Sequence, residues 1–483
     1  MRVGGAGLDG IVAVLTRPRL VELLTNSVML VVAVCATTAL VGVSSALALA
    51  RVRLPIAGVV TTLCVLPLAM PSYLAAYGWI AAFPGLHGFG AAWLVLSAVT
   101  VPLVTLPVLD VLRSSAGDLV DVARTLGHGP VTVFTRVVWP EIRGAVSAGS
   151  VLVSLYVLAD FGGVSLFRFP VLTTAIKQAY GASFDRNYAA VLAAVLVVVA
   201  IALFVLLRST GRRVSPARGR PGAGARRRAG RATPILLVVV LAAPIVAVMV
   251  PLASLLVRVA TAETLRPLDV GRLVEAIAGT VALAAGGALL AVILAVPVAL
   301  LTARYRGRLV AALDTMAALP LAIPGIVVGL GLVFLALAVA RDLYQTAGLL
   351  VFAYAVLFLP KAISAARTGI ERVPRDLDDV AATLGHGRAR RLWSITLRLT
   401  RPALLLAGLL VAVSAMKELP ATLMLRPTGM HTLATELWAR TDVSAYGAAA
   451  PYALALVVLA AIPSFLLSPA GDDAMKRKSG RRA

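Results

Sequence analysis

The 483-residue chain is 60% hydrophobic and only 14% charged. A water-soluble fold of this length has no interior large enough to bury so much apolar surface, which excludes an ordinary soluble protein. Its 45 Lys and Arg residues against 22 Asp and Glu residues give a formal charge of +23, which in a soluble protein would suggest nucleic-acid binding. Here the basic residues gather in short connections between apolar segments, as in cytoplasmic loops of membrane proteins. We therefore expect membrane lipid as a partner and no nucleic acid.

Apolar segments bounded by charge or by Pro and Gly predict about eleven transmembrane helices. Because a helix satisfies its own backbone hydrogen bonds in lipid, the predicted fold class is an all-α polytopic membrane protein. The predicted spans are residues 27–50, 54–82, 89–112, 145–160, 188–207, 234–257, 277–302, 309–340, 344–366, 403–417 and 447–468.

The charge of the connections predicts the sidedness of the chain. Residues 208–231 contain nine arginines and no acid, and the tail after residue 468 is also strongly basic. Both are expected in the cytoplasm, because cytoplasmic loops carry an excess of Lys and Arg. Counting spans from there places the N-terminus outside and the C-terminus in the cytoplasm, in a multi-pass protein of the plasma (cell inner) membrane.

Comparison of the chain with itself reveals an internal repeat. Residues Asp118 to Gly129 match Asp376 to Gly387 at ten of twelve positions with an offset of 258. LPLAMP at 66–71 matches LPLAIP at 319–324 with an offset of 253, which also aligns residues 26–28 with 279–281. Both polar loops face the cytoplasm in the predicted topology, so the repeat is parallel.

The repeat and the basic connections predict a division of the chain into four parts. These are a first half 1–207, an Arg-rich linker 208–233, a second half 234–468 and a basic cytoplasmic tail 469–483.

The repeated loops, 118–143 and 376–402, have the pattern of a short helix, a glycine bend and a second amphipathic helix. Each starts with two acids three residues apart, Asp118 with Asp121 and Asp376 with Asp379, which predicts a capping box. Gly127 and Gly385 are expected to end the first helix in a left-handed conformation. An interfacial hairpin that only connects spans would explain the amphipathic character, but not the duplication of the polar residues.

These loops resemble the EAA loop of ABC importer permeases, in which Glu-Ala-Ala is followed after three residues by Gly. The matching residues are Asp121, Ala123 and Gly127 in the first loop, and Asp379, Ala381 and Gly385 in the second. Asp replaces Glu and Val replaces the first Ala in both copies. The later proline of the pattern is kept as Pro140, whereas Arg398 stands in its place in the second copy and Pro402 follows four residues on.

The resemblance extends over nearly the whole chain. LADFGGVSLF at 158–167 and AMKELPATLMLRPTG at 415–429 are similar to the fused, two-repeat permeases of ferric-iron importers. The resemblance implies two parallel repeats of a type I permease core, a separate cytoplasmic ATP-binding subunit acting as a dimer, and an extracytoplasmic substrate-binding protein. It implies ferric iron as cargo, but thiamine, phosphonate, polyamine and sulfate remain alternatives.

Motifs of independent catalysis are absent from the sequence. None of the five lysines follows a glycine, so there is no P-loop, and neither an HExxH helix nor a GxSxG elbow occurs. We therefore expect a transport subunit rather than an enzyme, with no cofactor and no preformed metal site. An ion-coupled secondary transporter is the alternative class, although it would need coupling carboxylates within the membrane, and the sequence offers few.

Two sets of residues are candidates for the translocation pathway or its gating. Ionisable groups at membrane depth are functional candidates, although near a span end they can reach water, and a Lys-Glu pair can simply neutralise itself. Prolines within a span are expected to break it, either for gating or for packing alone. The ionisable candidates are Asp160, Lys417 and Glu418, and the proline candidates are Pro67, Pro71, Pro320 and Pro324. His128 and His386, at matched loop positions, are expected to contact the ATPase or solvent rather than a metal.

Overall fold

The structure, a computed structural model, describes residues 8–52, 57–114, 116–181, 186–211, 233–261 and 268–466. Every regular element among these residues is helical, which confirms the predicted all-α class. Helix continues past the predicted end of the fifth span to Gly211. Most of the predicted linker 208–233 and all of the predicted tail 469–483 lie outside the described residues.

The described helices up to Thr261 form one compact unit, here called the first unit. Its helices are α1 (Leu8–Leu15), α2 (Pro18–Arg51), α3 (Ala57–Val65), α4 (Ser72–Ala82), α5 (Gly88–Ser114), α6 (Ala116–Thr125), α7 (Pro130–Val133), α8 (Trp139–Ala159), α9 (Gly162–Leu166), α10 (Leu172–Gly181), α11 (Arg186–Gly211), α12 (Thr233–Pro244) and α13 (Val250–Thr261). A 3-10 turn at Leu66–Ala69 extends α3, and π-helical turns at Phe134–Val138 and Ile245–Met249 join α7 to α8 and α12 to α13.

The helices from Val270 onward form the second unit. They are α14 (Val270–Arg304), α15 (Arg308–Ala318), α16 (Gly325–Val339), α17 (Ala347–Glu371), α18 (Arg375–Thr383), α19 (Arg388–Arg391), α20 (Leu397–Met416), α21 (Pro420–Leu425), α22 (Leu433–Asp442) and α23 (Tyr446–Leu466). Short 3-10 turns at Leu319–Leu321 and Arg341–Leu343 follow α15 and α16, and a π-helical turn at Leu392–Thr396 joins α19 to α20.

Small residues let the long helices of each unit approach closely. A Cβ atom added to Gly42 in α2 would lie 2.9 Å from Val104 Cβ in α5, and one added to Gly149 in α8 would lie 2.7 Å from Leu103 O. In the second unit, α14 and α17 meet through a buried row that includes Ala288, Ala291 and Ala355. Lipid supplies little hydrophobic drive between helices, so such close contacts are a main source of packing energy in membranes.

A hydroxyl group near the start of the first long helix anchors a later segment at matching places in the two units. Ser27 Oγ in α2 accepts a hydrogen bond from the backbone N–H of Leu172 over 3.2 Å. Thr280 Oγ1 in α14 accepts one from Leu433 N over 2.9 Å. The alignment of residues 26–28 with 279–281 thus has a physical basis, because both hydroxyls satisfy a buried backbone donor.

Eight described helices are long and apolar enough to cross a bilayer, or nine if the bent pair Gly58–Ala69 and Ser72–Ala82 counts as one span. These nine correspond to nine of the eleven predicted spans. The other two differ for physical reasons. Segment 309–340 is interrupted at 319–324, which leaves two shorter helices, and the apolar part of the last helix is also shorter.

The helix that follows the predicted linker packs within the first unit. Trp79 Nε1 in α4 donates to Val246 O over 2.8 Å, at the π-helical turn between α12 and α13. Ser254 Oγ in α13 donates to Gly78 O over 2.7 Å, and a Cβ on Gly78 would lie 2.4 Å from Pro251. Helix α12 and the π-helical turn after it are apolar on all sides and carry no signal for a packing partner, so the sequence did not indicate the contact at Val246. The division of the chain at 207 and 234 stays a prediction.

Candidate coupling loops and helix breaks

The first repeated loop ends its short helix in a Schellman motif. Gly127, at the end of α6, has φ +79°, a conformation that favours glycine. The N–H of His128 donates to Ala123 O over 3.2 Å, and the N–H of Gly127 donates to Arg124 O over 3.0 Å. These two bonds satisfy carbonyls that the helix end leaves free. The predicted left-handed glycine cap is confirmed at this position.

The second loop repeats the same geometry. Gly385 also has φ +79°, and His386 N donates to Ala381 O over 3.0 Å while Gly385 N donates to Ala382 O over 3.0 Å. After each glycine the chain forms one α-turn and then a π-helical turn that leads directly into a long apolar helix. The sequence pattern predicted the amphipathic stretch and the following span as separate elements, but in both halves they form one continuous helix.

Matched apolar side chains are exposed on both loops. Leu126 and Leu384 are 71% and 70% exposed, and Val122 and Val380 are 55% and 57% exposed. Ala123 and Ala381, one residue after each valine, are buried instead. The loops therefore bury their alanines against the rest of the protein and leave a valine and a leucine exposed at matched positions.

The capping-box prediction is wrong for the second loop. Helix α18 begins at Arg375 with Pro374 at its N-cap, and no side chain caps it. Because Pro374 already has extended backbone angles, the helix starts ahead of Asp376, which then lies in the first turn with Asp378. Helix α6 likewise begins at Ala116, ahead of Asp118. The acids of the first turn still lie near the positive end of the helix dipole.

The acids of the EAA-like pattern lie on these helices. Asp121 is in α6 and Asp379 is an exposed residue of α18. His128 lines a shallow groove of the first loop with Ala123, Leu126 and Val133, whereas His386 is half-buried in the second loop. Their roles toward a partner stay predictions.

The proline pairs lie where a helix breaks in each unit. Pro67 and Pro320 occupy the first turn of the two 3-10 segments, and Pro71 and Pro324 are the N-cap residues of α4 and α16. In the first unit the helix axis turns by 96° at this point. Proline lacks an N–H and clashes with the carbonyl of the preceding turn, so a continuous helix is not formed. The predicted breaks are confirmed, and their role in gating stays a prediction.

Asp160 lies beside the break of the first unit. Its Oδ1 accepts a hydrogen bond from Oγ of Ser72, the first residue of α4, and its Oδ2 accepts one from Val164 N in α9 over 3.1 Å. Thr173 Oγ1 donates to the backbone carbonyl of Asp160 over 2.7 Å. Asp160 is only 8% exposed, so its carboxylate faces the protein interior.

Glu418 occupies the matching place in the second unit. Its Oε1 accepts a hydrogen bond from Ala421 N in α21 over 2.9 Å. A Cβ atom added to Gly325, the first residue of α16, would lie 2.7 Å from that same oxygen. Each unit therefore brings an acid next to the residue that follows its proline break. Lys417 is the C-cap residue of α20 and is half-buried.

Sequence reasoning missed three residues of this region. Ser72 and Gly325 follow the prolines directly, and nothing in their spacing pointed to an acid some 90 residues away. Lys361 lies within α17 and donates to Ser414 Oγ over 2.8 Å. A lone lysine inside the apolar segment 344–366 was a signal that could have identified it.

Comparison with known proteins decides the family. Residues 38–216 and 295–468 each match the family described as the binding-protein-dependent transport system inner membrane component. The chain belongs to this family. It is therefore a multi-pass component of a membrane transport system rather than a catalytic enzyme. The two matched segments contain the two repeated loops and both acids beside the helix breaks.

Individual relatives of the permease are named for different cargoes. The Fe(3+)-transport system permease protein FbpB 2 of Haemophilus influenzae is 31% identical over 480 residues, which cover 97% of this chain and 93% of that protein. The thiamine transport system permease protein ThiP of Brucella abortus is 28% identical over 58% of this chain and 56% of its own. The putative 2-aminoethylphosphonate transport system permease protein PhnV of Salmonella typhimurium is 34% identical over 31% of this chain and 55% of its own.

Proposed function

We propose that this chain is the membrane-spanning subunit of an ABC importer that carries ferric iron across the cell inner membrane. Its two EAA-like loops dock a dimer of a separate cytoplasmic ATPase, and an extracytoplasmic binding protein delivers the cargo. The C-terminus and both loops lie in the cytoplasm, as the charge of the connections predicts.

The matched loops are the observation that carries this proposal. Leu126 and Leu384 are equally exposed, and each follows a short helix that ends in the same glycine motif. A single interfacial hairpin would need no second copy of this surface. Two copies of one docking surface suit a partner that itself has two equivalent subunits.

Continuous helices connect these loops to the membrane. In both halves the helix after the glycine passes through a π-helical turn, at Phe134–Val138 and Leu392–Thr396, and enters a predicted span without a break. Closure of the ATPase dimer on binding ATP would thus move α8 and α20 directly. Rocking of the two halves then opens the pathway outward, toward a loaded binding protein, and hydrolysis resets the inward-facing state.

Ferric iron is favoured as cargo by the length of the resemblance. The iron permease of Haemophilus influenzae aligns with 97% of this chain, whereas the thiamine and phosphonate permeases align with 58% and 31%. Selectivity in this proposal resides mainly in the binding protein, so the permease is not required to hold a ferric ion through fixed ligands.

Transport by the reconstituted system tests this proposal. Proteoliposomes containing the permease and its ATPase receive loaded binding protein on one side and ATP on the other, and uptake of radiolabelled ferric iron, thiamine and 2-aminoethylphosphonate is compared. ATP-dependent uptake of iron alone is the expected result. Uptake of another cargo would overturn the iron assignment, and uptake driven by an ion gradient without ATP would overturn the importer class.

A further inference from the structure

In each unit a carboxylate side chain lies against the residue that follows the proline break. Asp160 meets Ser72 in the first unit, and Glu418 meets Gly325 in the second. The four residues occupy equivalent places, since the offset is 253 between Ser72 and Gly325 and 258 between Asp160 and Glu418, as in the surrounding repeats. The contact has therefore been kept in two copies although all four residues differ in type.

The differences compensate one another in size. The first unit combines a shorter acid with a serine, and the serine hydroxyl spans the gap to Asp160. The second unit combines an acid that is one methylene longer with a glycine, and a Cβ on Gly325 would lie only 2.7 Å from Glu418 Oε1. A longer acid beside Ser72, or a serine beside Glu418, would overfill the space.

A third position follows the same pattern. Gly163 in α9 corresponds to Ala421 in α21, at the offset of 258. A Cβ on Gly163 would lie 3.3 Å from Ser72 Cβ and 3.0 Å from Asp160 Oδ2. The second unit has room for the alanine methyl because residue 325 has no side chain. The side chains at these three positions therefore differ in size between the two units, and the differences offset one another.

The oxygens of both acids are directed at the protein. Asp160 accepts hydrogen bonds from Ser72 Oγ and Val164 N, and Glu418 accepts one from Ala421 N. In each case the backbone donor belongs to the short helix that follows the acid. Asp160 thus hydrogen-bonds both to this short helix and to the start of the helix after the proline break, whereas Glu418 hydrogen-bonds to the short helix and packs against the first residue of the helix after the break.

Close packing of the same two helices supports this link. A Cβ on Gly162 in α9 would lie 2.5 Å from Tyr73 Cβ in α4. A Cβ on Gly329 in α16 would lie 3.1 Å from Ala421 Cα in α21. Each pair of helices packs at close range beside the acid, and closely packed elements transmit strain to one another.

We propose that Ser72–Asp160 and Gly325–Glu418 are two versions of one carboxylate latch that positions the broken span of each half. The acids are positioning residues and do not bind cargo. This inference rests on the proposed transport role for its effect on uptake, whereas the contact itself is independent of the cargo. Each version works only with its own partner residue, because the side-chain volumes are matched within a version.

Exchange of one version for the other tests the latch. In the first unit the variants are Ser72→Gly, Asp160→Glu, the pair Ser72→Gly with Asp160→Glu, and that pair with Gly163→Ala. The reciprocal set in the second unit is Gly325→Ser, Glu418→Asp, their pair, and the pair with Ala421→Gly. The two sets are built in separate proteins, so that a folding failure in one leaves the other informative.

Two readouts are taken for every inserted variant. The first is the thermal unfolding midpoint in detergent, which requires no cargo and no ATPase. The second is the dependence of the initial ATP-driven uptake rate on the concentration of loaded binding protein, with ferric iron as the probe. A latch changes the maximal rate, whereas a residue that contacts the loaded binding protein or the cargo it delivers changes the concentration that gives half the maximal rate.

The latch predicts non-additive behaviour in both readouts. Each single variant lowers the unfolding midpoint and reduces the maximal uptake rate by about tenfold, and the exchanged set returns to within about threefold of the wild-type rate. The latch would be overturned if the exchanged sets had unfolding midpoints and maximal uptake rates no higher than those of the poorer single variant. It would also be overturned if Asp160→Glu left the midpoint and the rate unchanged. A variant that alters only the half-maximal concentration would overturn the latch and identify a contact with the loaded binding protein or its cargo instead. If the wild type moves no iron, the proposed function fails, and the unfolding midpoints alone still decide the latch.

Discussion

Gly127 and Gly385 share a backbone φ of +79°, although 258 residues separate them. In both loops the next residue is a histidine whose N–H closes the end of the short helix onto an alanine carbonyl. Among the residues that the structure describes, no atom outside the local chain lies within 4 Å of a Cβ built on either glycine. The conformation, rather than the space, is therefore what requires glycine at these positions.

Replacing Gly127 or Gly385 by alanine should destabilise the loop through backbone strain alone. A left-handed conformation costs a residue with a Cβ about 1–2 kcal/mol, and the unfolding midpoint of the detergent-solubilised protein should fall accordingly. Gly129→Ala and Gly387→Ala are matched controls, because these glycines have φ −67° and −63° with similarly open surroundings. Equal losses in the test and control variants would contradict the assignment.

Glu436 should make the second unit sensitive to acid. Its carboxylate accepts hydrogen bonds from Arg272 over 3.1 Å, forms an ion pair with Arg440 and lies 2.8 Å from His431 Nδ1. Burial acts to raise the pKa of Glu436, but the hydrogen bonds from the two arginines outweigh it and the pKa lies below its usual range. The free energy of folding that this lowered pKa contributes is fully present above the pKa of an unfolded-state glutamate, about 4.3. It is lost as the pH falls through the lower pKa that Glu436 has in the folded protein.

Glu436→Gln is the variant that measures this contribution. It should lower the free energy of unfolding by about 1.5–3 kcal/mol near neutral pH, the size expected for hydrogen bonds to a charged group. The difference from the wild type should shrink as the pH falls to about 4 and below. Asp442→Asn, an exposed charge on the same helix, is the control and should have little effect. If the difference in unfolding free energy between the wild type and Glu436→Gln stayed constant with pH, the ion-pair account would be contradicted.

The proposed sidedness predicts opposite accessibility for two exposed leucines. Leu343, in the turn between α16 and α17, should face outward, and Leu384 should face the cytoplasm. In a background without Cys35 and Cys64, Leu343→Cys should react with a membrane-impermeant maleimide in intact cells, and Leu384→Cys only after permeabilisation. The reverse pattern would place the loops outside and exclude contact with a cytoplasmic ATPase.

Local chemistry explains which parts of this structure could be predicted from the sequence. Pro71 and Pro324 break helices because proline lacks an N–H, and Gly127 and Gly385 end helices because only glycine adopts that φ without strain. Such effects depend on a few neighbouring residues. The same holds for the alternation of apolar segments and basic connections, which predicted nine spans that the structure contains.

The remaining features depend on contacts between distant segments. The helix around Ile245–Met249 is apolar on all sides, so its packing against α4 left no trace in its own pattern. Pro374 starts α18 earlier than the acids suggested, because an extended proline can serve as an N-cap without a side-chain acceptor. The pairing of Asp160 with Ser72 required the fold, although the change from Ser72 to Gly325 between the repeats was visible in the sequence.

The most direct measurement of the central claim is co-purification of the solubilised permease with its ATPase. The variant Leu126→Glu plus Leu384→Glu alters only the exposed surface of the two loops, and Leu343→Glu is a control at an exposed leucine outside them. Burial of each leucine contributes about 1.5–3 kcal/mol, so the double variant should lose at least about a hundredfold in affinity while the control retains the ATPase. A folded double variant that binds the ATPase as well as the wild type would contradict docking through these loops.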